Sequence, residues 1–170
     1  TQNSSYIDIY YNTVINLGTQ ATLDFYSTNY VNVKNNIITN TGTSARLVSK
    51  GWNTYTDNDF DYNLYYGGSS SYGFYSHIPS VHGNFSAWQT AGFDSNSVFQ
   101  DPDFYASGDG FHLAAGNELA TPLALVTTDF DNETRDETTP DIGADEYNLA
   151  NYDGVVNVPG ELPTIQGAID

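Results

Sequence analysis

The feature that most constrains this chain is a repeat. Ile7-Asp-Ile-Tyr-Tyr-Asn-Thr-Val-Ile-Asn16 aligns without gaps over Val31-Asn-Val-Lys-Asn-Asn-Ile-Ile-Thr-Asn40 at an offset of 24 residues. A weaker third copy, Asn58-Asp-Phe-Asp-Tyr-Asn-Leu-Tyr-Tyr-Gly67, follows at an offset of 27. The shared pattern is apolar-x-apolar-x-x-Asn-x-apolar, and it sets Asn12, Asn36 and Asn63 in one column. A period of two places Ile7 and Ile9, or Val31 and Val33, on one face and turns Asp8 and Asn32 to the other.

Strands this short cannot bury an apolar face alone. Stacking each pass of the chain on the next aligns like strands in parallel and gives them a continuous apolar interior. The expected class is therefore all-β, a parallel β-helix or solenoid. Its Asn12, Asn36 and Asn63 would sit in tight turns, where Asn tolerates left-handed geometry, and hydrogen-bond their copies as a ladder. The competing architecture is a β-sandwich in which the Asn positions coincide by chance. Residues 1–66 contain no convincing helical period.

Composition narrows the partners. The 170 residues suffice for one domain with a core. Tyr, Phe, Gly and abundant Asn, Thr, Ser and Asp favour strands and turns. A formal charge of -17 repels phosphate backbones, so nucleic acid is not an expected partner. The same acidity suits saline or calcium-containing surroundings, or simply keeps an extracellular protein soluble. The absence of Cys rules out disulfides, thiol chemistry and Cys-zinc sites, and is silent on compartment. No basic-then-apolar leader opens the sequence, and no apolar run is long enough for a membrane span. Because it opens inside a strand pattern and stops at the start of another element, the sequence reads as a piece of a longer chain.

Beyond the repeats, register is lost from Gly67 to Phe104. This excursion includes a short helix from Phe85 to Gly92, with Phe85 and Trp88 on one face and Gly92 as C-cap. Phe111-His-Leu-Ala114 reads as a strand with Phe111 and Leu113 on one side. Residues 128–140 read as a polar loop and Asp141–Tyr147 as a closing strand. The expected organisation is residues 1–147 as the final coils and closing strands, 148–161 as a linker, and 162–170 as the start of a second β-helix. In that last segment Thr164 is an N-cap candidate, and Ile165 and Ile169 are four apart.

Several segments in order carry a resemblance: Asn63-Leu-Tyr-Tyr66, Asp101-Pro-Asp-Phe104, Phe111-His-Leu113, Thr128-Asp-Phe-Asp131 with Arg135, and Pro140-Asp-Ile-Gly-Ala144. Together they resemble the C-terminal region of bacterial right-handed parallel β-helix repeat proteins of the pectate-lyase-like group, including those ending in a choice-of-anchor Q region. The resemblance implies a secreted or cell-surface protein of a group that frequently handles polysaccharide and includes many members with no assigned activity. It implies fold more directly than activity.

A polysaccharide lyase needs a basic residue of lowered pKa and neutralisation of the uronate, and Arg46 and Lys50 are the pair that could reach one outer groove. A hydrolase needs two carboxylates, and Asp57, Asp59 and Asp61 alternate so as to share one face. With Trp52 and Trp88 they form the candidate substrate-binding set, and Tyr62, Tyr65, Tyr66, Tyr72 and Tyr75 could also stack on sugar rings. Asp129, Asp131 and Asp136, with Asn132 and Glu133 between them, offer oxygen ligands for calcium. Each has a plainer reading: solvated charges, packed aromatics, an Asp-stabilised turn. His77, His82 and His112 lack metal-ligand spacing on any one element. The expected function is a non-catalytic C-terminal portion of a β-helix protein that binds polysaccharide or acts as a spacer, packed on adjacent coils of its own chain. The alternative is part of a lyase or glycoside hydrolase whose catalytic coils lie mostly upstream.

Overall fold

The structure, a computed structural model, describes residues 6–26, 30–42, 44–51, 57–104 and 111–147. Three sheets account for its strands. The first contains β1 (Tyr6–Tyr10), β4 (Tyr30–Lys34) and β7 (Asp57–Asp61). The second is ordered β2 (Thr13–Asn16), β5 (Ile37–Asn40), β8 (Leu64–Gly67) and β11 (Val98–Phe99). The third is ordered β3 (Leu23–Phe25), β6 (Val48–Lys50), β9 (Phe74–Ser76) and β10 (Val81–Gly83). Every pairing is parallel except β9 with β10. The class is all-β, and among the described residues no helix is long and apolar enough to cross a membrane.

Each pass of the chain lays one strand in each sheet before the next pass begins. Register follows the sequence repeat: Ile7 pairs with Val31 and Val31 with Asn58, while Ile9 pairs with Val33 and Val33 with Phe60. Between the first and second sheets the backbone turns through a left-handed residue, at Tyr11 (φ 52°), Asn35 (φ 60°) and Tyr62 (φ 55°). The left-handed position is thus the residue before each repeated Asn, not the Asn itself. What the Asn supplies is the ladder. Asn36 Oδ1 accepts from Asn12 N at 2.9 Å, and Asn63 Oδ1 accepts from Asn36 N at 3.0 Å and from Asn36 Nδ2 at 3.1 Å. The ladder ends on Asp94, 1% exposed, which accepts from Asn63 Nδ2, Ser97 Oγ, Tyr65 OH and Trp88 Nε1. Burial pushes the Asp94 carboxyl up, and those four donors pull against it.

The excursion is shorter than the sequence suggests. Gly67 and β9 still follow the stack, β8 pairing with β5 and β9 with β6. Gly67 (φ +76°) ends the third copy where the earlier ones carry Asn, because a Cβ there would collide with the Asn40 carbonyl oxygen. The departure proper runs from β10 through helix α1 (Phe85–Thr90), and the chain re-enters at Val98, beside Leu64. Asn84 caps α1 by accepting from Ala87 N, and Gly92 takes the left-handed position just past its end (φ +96°). The helix lowers Trp88 into the core. Its indole stacks on Phe93 at 4.2 Å and meets Phe60 edge-on at 5.6 Å, with Val31, Val33, Ile38, Leu47, Tyr65 and Phe74 in the same cluster.

A second apolar cluster lies on the opposite face of the second sheet. Ile37 and Leu64, with Tyr11, are covered by Leu113, Ala120 and Ile142. Residues 111–147 therefore lie along the side of the stack. They contain no strand: Leu113 makes one bridge to Phe104, and Asp141–Tyr147 is irregular. Phe111 is 41% exposed while Leu113 is 1% exposed, so the two do not share a face. Close approach explains the irregularity. Gly143 (φ +112°) passes so near β5 that a Cβ would lie 2.6 Å from Ile37 Cδ1, and Gly143 N donates to Asn35 O. The linker at 148–161 and the second module at 162–170 lie outside the described residues.

Candidate functional site

The third sheet presents a polar outer face. In β6, Val48 and Lys50 turn inward and Ser49 outward, so register carries Asp24, Ser49, Tyr75 and His82 into one row across four strands. Asp24, Ser49 and His82 of that row, with Thr19, Gln20, Ala21, Ser44, Arg46 and Tyr72 from the segments entering β3, β6 and β9, line a cleft of about 320 Å³. The Arg46 guanidinium lies over the Tyr75 ring at 4.7 Å. The His82 ring packs 5.0 Å from Tyr72 and 6.0 Å from Tyr75. Arg46 and the aromatics hold one another in place.

Spacing decides what this cleft can do. Strands in a sheet lie about 4.8 Å apart, so Asp24 and His82, three strands from one another, are separated by about 14 Å. Paired groups that act together on a glycosidic bond need roughly 5–10 Å. Asp24 and His82 are too far apart to act as such a pair. The cleft instead offers an extended row of donors, acceptors and ring faces.

Lys50 is not in it. The side chain is 1% exposed and enters the core beside Phe25 and Ser76, with Nζ over the Phe93 ring at 4.3 Å and 5.9 Å from Phe60. Burial lowers its pKa to about 8. The lowered pKa that a lyase base requires is present, but on the face opposite Arg46, so the two cannot serve one groove. Strand alternation turns Lys50 inward with Val48, whereas Arg46 precedes β6 and is not held to that alternation.

Trp88 is likewise removed from any substrate by complete burial, its N–H spent on Asp94. Trp52 and the Asp57 side chain lie outside the described residues. Asp59 and Asp61 do share the outer face of the first sheet. Asp59 pairs with Lys34 Nζ at 2.5 Å, and Asp61 accepts from Asn96 N and Nδ2, both at 2.7 Å. Beside them Asn32 donates to Asp8, and Tyr6 stacks on Tyr30 at 4.4 Å.

Asp129, Asp131 and Asp136 do not converge on one point. Asp129 accepts from the N–H groups of Asp131, Glu133 and Glu146, and Asp136 from those of Thr138 and Thr139. The Thr138 hydroxyl, which also donates to Asp136, and these N–H groups hold the Asp136 carboxyl down at about 2. Only Asp131 reaches a metal-compatible group, with His112 and Asp145. Asp145 is nearly buried, and desolvation raises it to about 6 although Leu113 N donates to it.

Asp24, Ser49 and His82 were missed as site residues, yet a signal existed. Asp24, Ser49 and Tyr75 follow one another at offsets of 25 and 26, within the range of the Asn column. The His112–Asp131–Asp145 grouping left no comparable trace, since three irregular segments bring it together. No family model matches the chain, and neither a curated protein nor a solved structure matches it.

Proposed function

We propose that the three sheets are the walls of a right-handed parallel β-helix of the pectate-lyase-like kind. In this reading the chain is the C-terminal portion of a secreted or cell-surface protein, and the cleft on the third sheet binds polysaccharide without cleaving it. The observation that carries the binding role is the row Asp24, Ser49, Tyr75 and His82, flanked by Arg46 and Tyr72. Hydroxyl-rich ligands are recognised by planar polar groups that bond neighbouring hydroxyls and by aromatic rings against their C–H faces, and this row supplies both. A net charge of -17 and an exposed Asp24 inside the cleft disfavour a polyanion, which makes a neutral polysaccharide the better ligand. Extracellular placement is supported by the acidic composition and by the resemblance.

The test is affinity electrophoresis and calorimetry against neutral and uronate polysaccharides. Retention by a neutral polysaccharide is expected, with Arg46→Ala and Tyr72→Ala each weakening it about tenfold, the order of one well-placed polar or aromatic contact. Asp59→Asn, on another face, should leave retention unchanged. No retention by any polysaccharide, or retention indifferent to Arg46→Ala and Tyr72→Ala, rejects the assignment.

A further inference from the structure

We propose that His112, Asp131 and Asp145 form a binding site for a zinc-class divalent cation on the segment that covers the second sheet. One ligand atom from each lies within 4.8 Å of the other two. The three come from separate stretches: His112 beside the Phe104–Leu113 bridge, Asp131 in the turn closed by the Thr128–Thr134 bridge, and Asp145 after Gly143. Tetrahedral zinc with bonds of about 2.0–2.1 Å holds its ligand atoms about 3.3 Å apart. His112 Nε2 and Asp131 Oδ2 lie 2.8 Å apart in a direct hydrogen bond, which a cation between them would replace by moving the two side chains apart by about 0.5 Å.

A second observation points to a ligand. Asp145 is 6% exposed, and its Oδ2 accepts from Leu113 N at 2.7 Å. Among the described residues no hydrogen bond reaches its other oxygen. A carboxylate so placed wants a positive partner. Arg135, the one arginine or lysine between residues 111 and 147, is committed to Glu146 and to the Gly143 and Ala144 carbonyls. The imidazole is fixed between the Phe130 ring, at 4.9 Å, and Asp131. One nitrogen with two carboxylates suits zinc and its neighbours better than calcium, which takes 6–8 oxygens. Three protein ligands leave a fourth position open.

The experiment uses the chain stripped with chelator and titrated with zinc chloride by calorimetry, with cobalt(II) visible absorption as a second readout. One zinc per chain is expected, with a rise in Tm, and cobalt should give a tetrahedral absorption band. His112→Ala and Asp131→Asn, both at accessible positions, should weaken zinc at least tenfold and abolish the band, while His77→Ala leaves both intact. Millimolar calcium should not compete. No zinc heat and no cobalt band in the parent chain overturn the proposal. So does binding that survives both His112→Ala and Asp131→Asn, which would mark an adventitious ion.

Discussion

Two regions of this protein solve the same problem by different means. Among the described residues from Tyr6 to Ser76 the backbone bonds to its own copies: parallel ladders join strand to strand, and Asn12, Asn36 and Asn63 close the turns between the first two sheets. From Phe111 to Tyr147 such ladders are missing. There carboxylates take the backbone N–H groups. Asp141 accepts from Asn117, Glu118 and Tyr147, Glu146 from Asp136 and Asp141, and Asp129 from Asp131, Glu133 and Glu146. Arg135 answers their charge from beneath. It is 5% exposed, lies over the Tyr11 ring at 4.0 Å, and donates to Glu146 and to the Gly143 and Ala144 carbonyls. Repetition lets one residue type serve every pass, whereas irregular backbone needs a dedicated acceptor at each point.

The largest effect expected from breaking this contrast is at Arg135. Arg135→Met strands a buried Glu146 and several carbonyls, at a cost of about 3–5 kcal/mol. Hydrogen exchange should show the loss concentrated in 111–147, with protection of β4 to β6 retained. Uniform loss of protection would mean that the two regions are one cooperative unit. Next comes the ladder. Asn36 is fully buried and donates to Ile9 O, Lys34 O and Asn63 Oδ1, so Asn36→Ala should cost about 3 kcal/mol by denaturant unfolding. Asn12, at the exposed end, should cost under about 1 kcal/mol on the same substitution. Equal costs would show that the ladder is not graded by burial.

A third effect concerns Lys50. The folded state loses this proton near pH 8, whereas the unfolded chain keeps it to its ordinary 10.5. Between those values the unfolded state binds more protons, so stability rises with pH. Below pH 8 both states are protonated and the whole desolvation penalty is present. Lys50→Met should therefore stabilise the protein at pH 7 by about 2 kcal/mol, after discounting for screening near the surface, and abolish the rise between pH 8 and 10.5. A variant whose pH profile matches the parent would place the ammonium in water and not against Phe93.

Much of the stack was legible because repetition writes tertiary contacts into sequence. A residue and its copy 24 or 27 positions on are neighbours across a ladder, so Asn12, Asn36 and Asn63 announced their own hydrogen bonds. Composition and the period of two gave the all-β class by the same local logic. Lys50 departs from expectation for a local reason as well: a charge is expected to face water, although the parity of Val48 and Lys50 places both on one side.

What sequence alone could not decide lies where neighbours in space are not neighbours in period. That Trp88 fills the core depends on α1 folding back over β9 and β10. That Asp129 and Asp136 serve backbone turns while Asp131 meets His112 and Asp145 depends on how 111–147 crosses Ile37 and Leu64. A carboxylate's role is set by which donors surround it, and in an irregular segment only the packed chain supplies those donors.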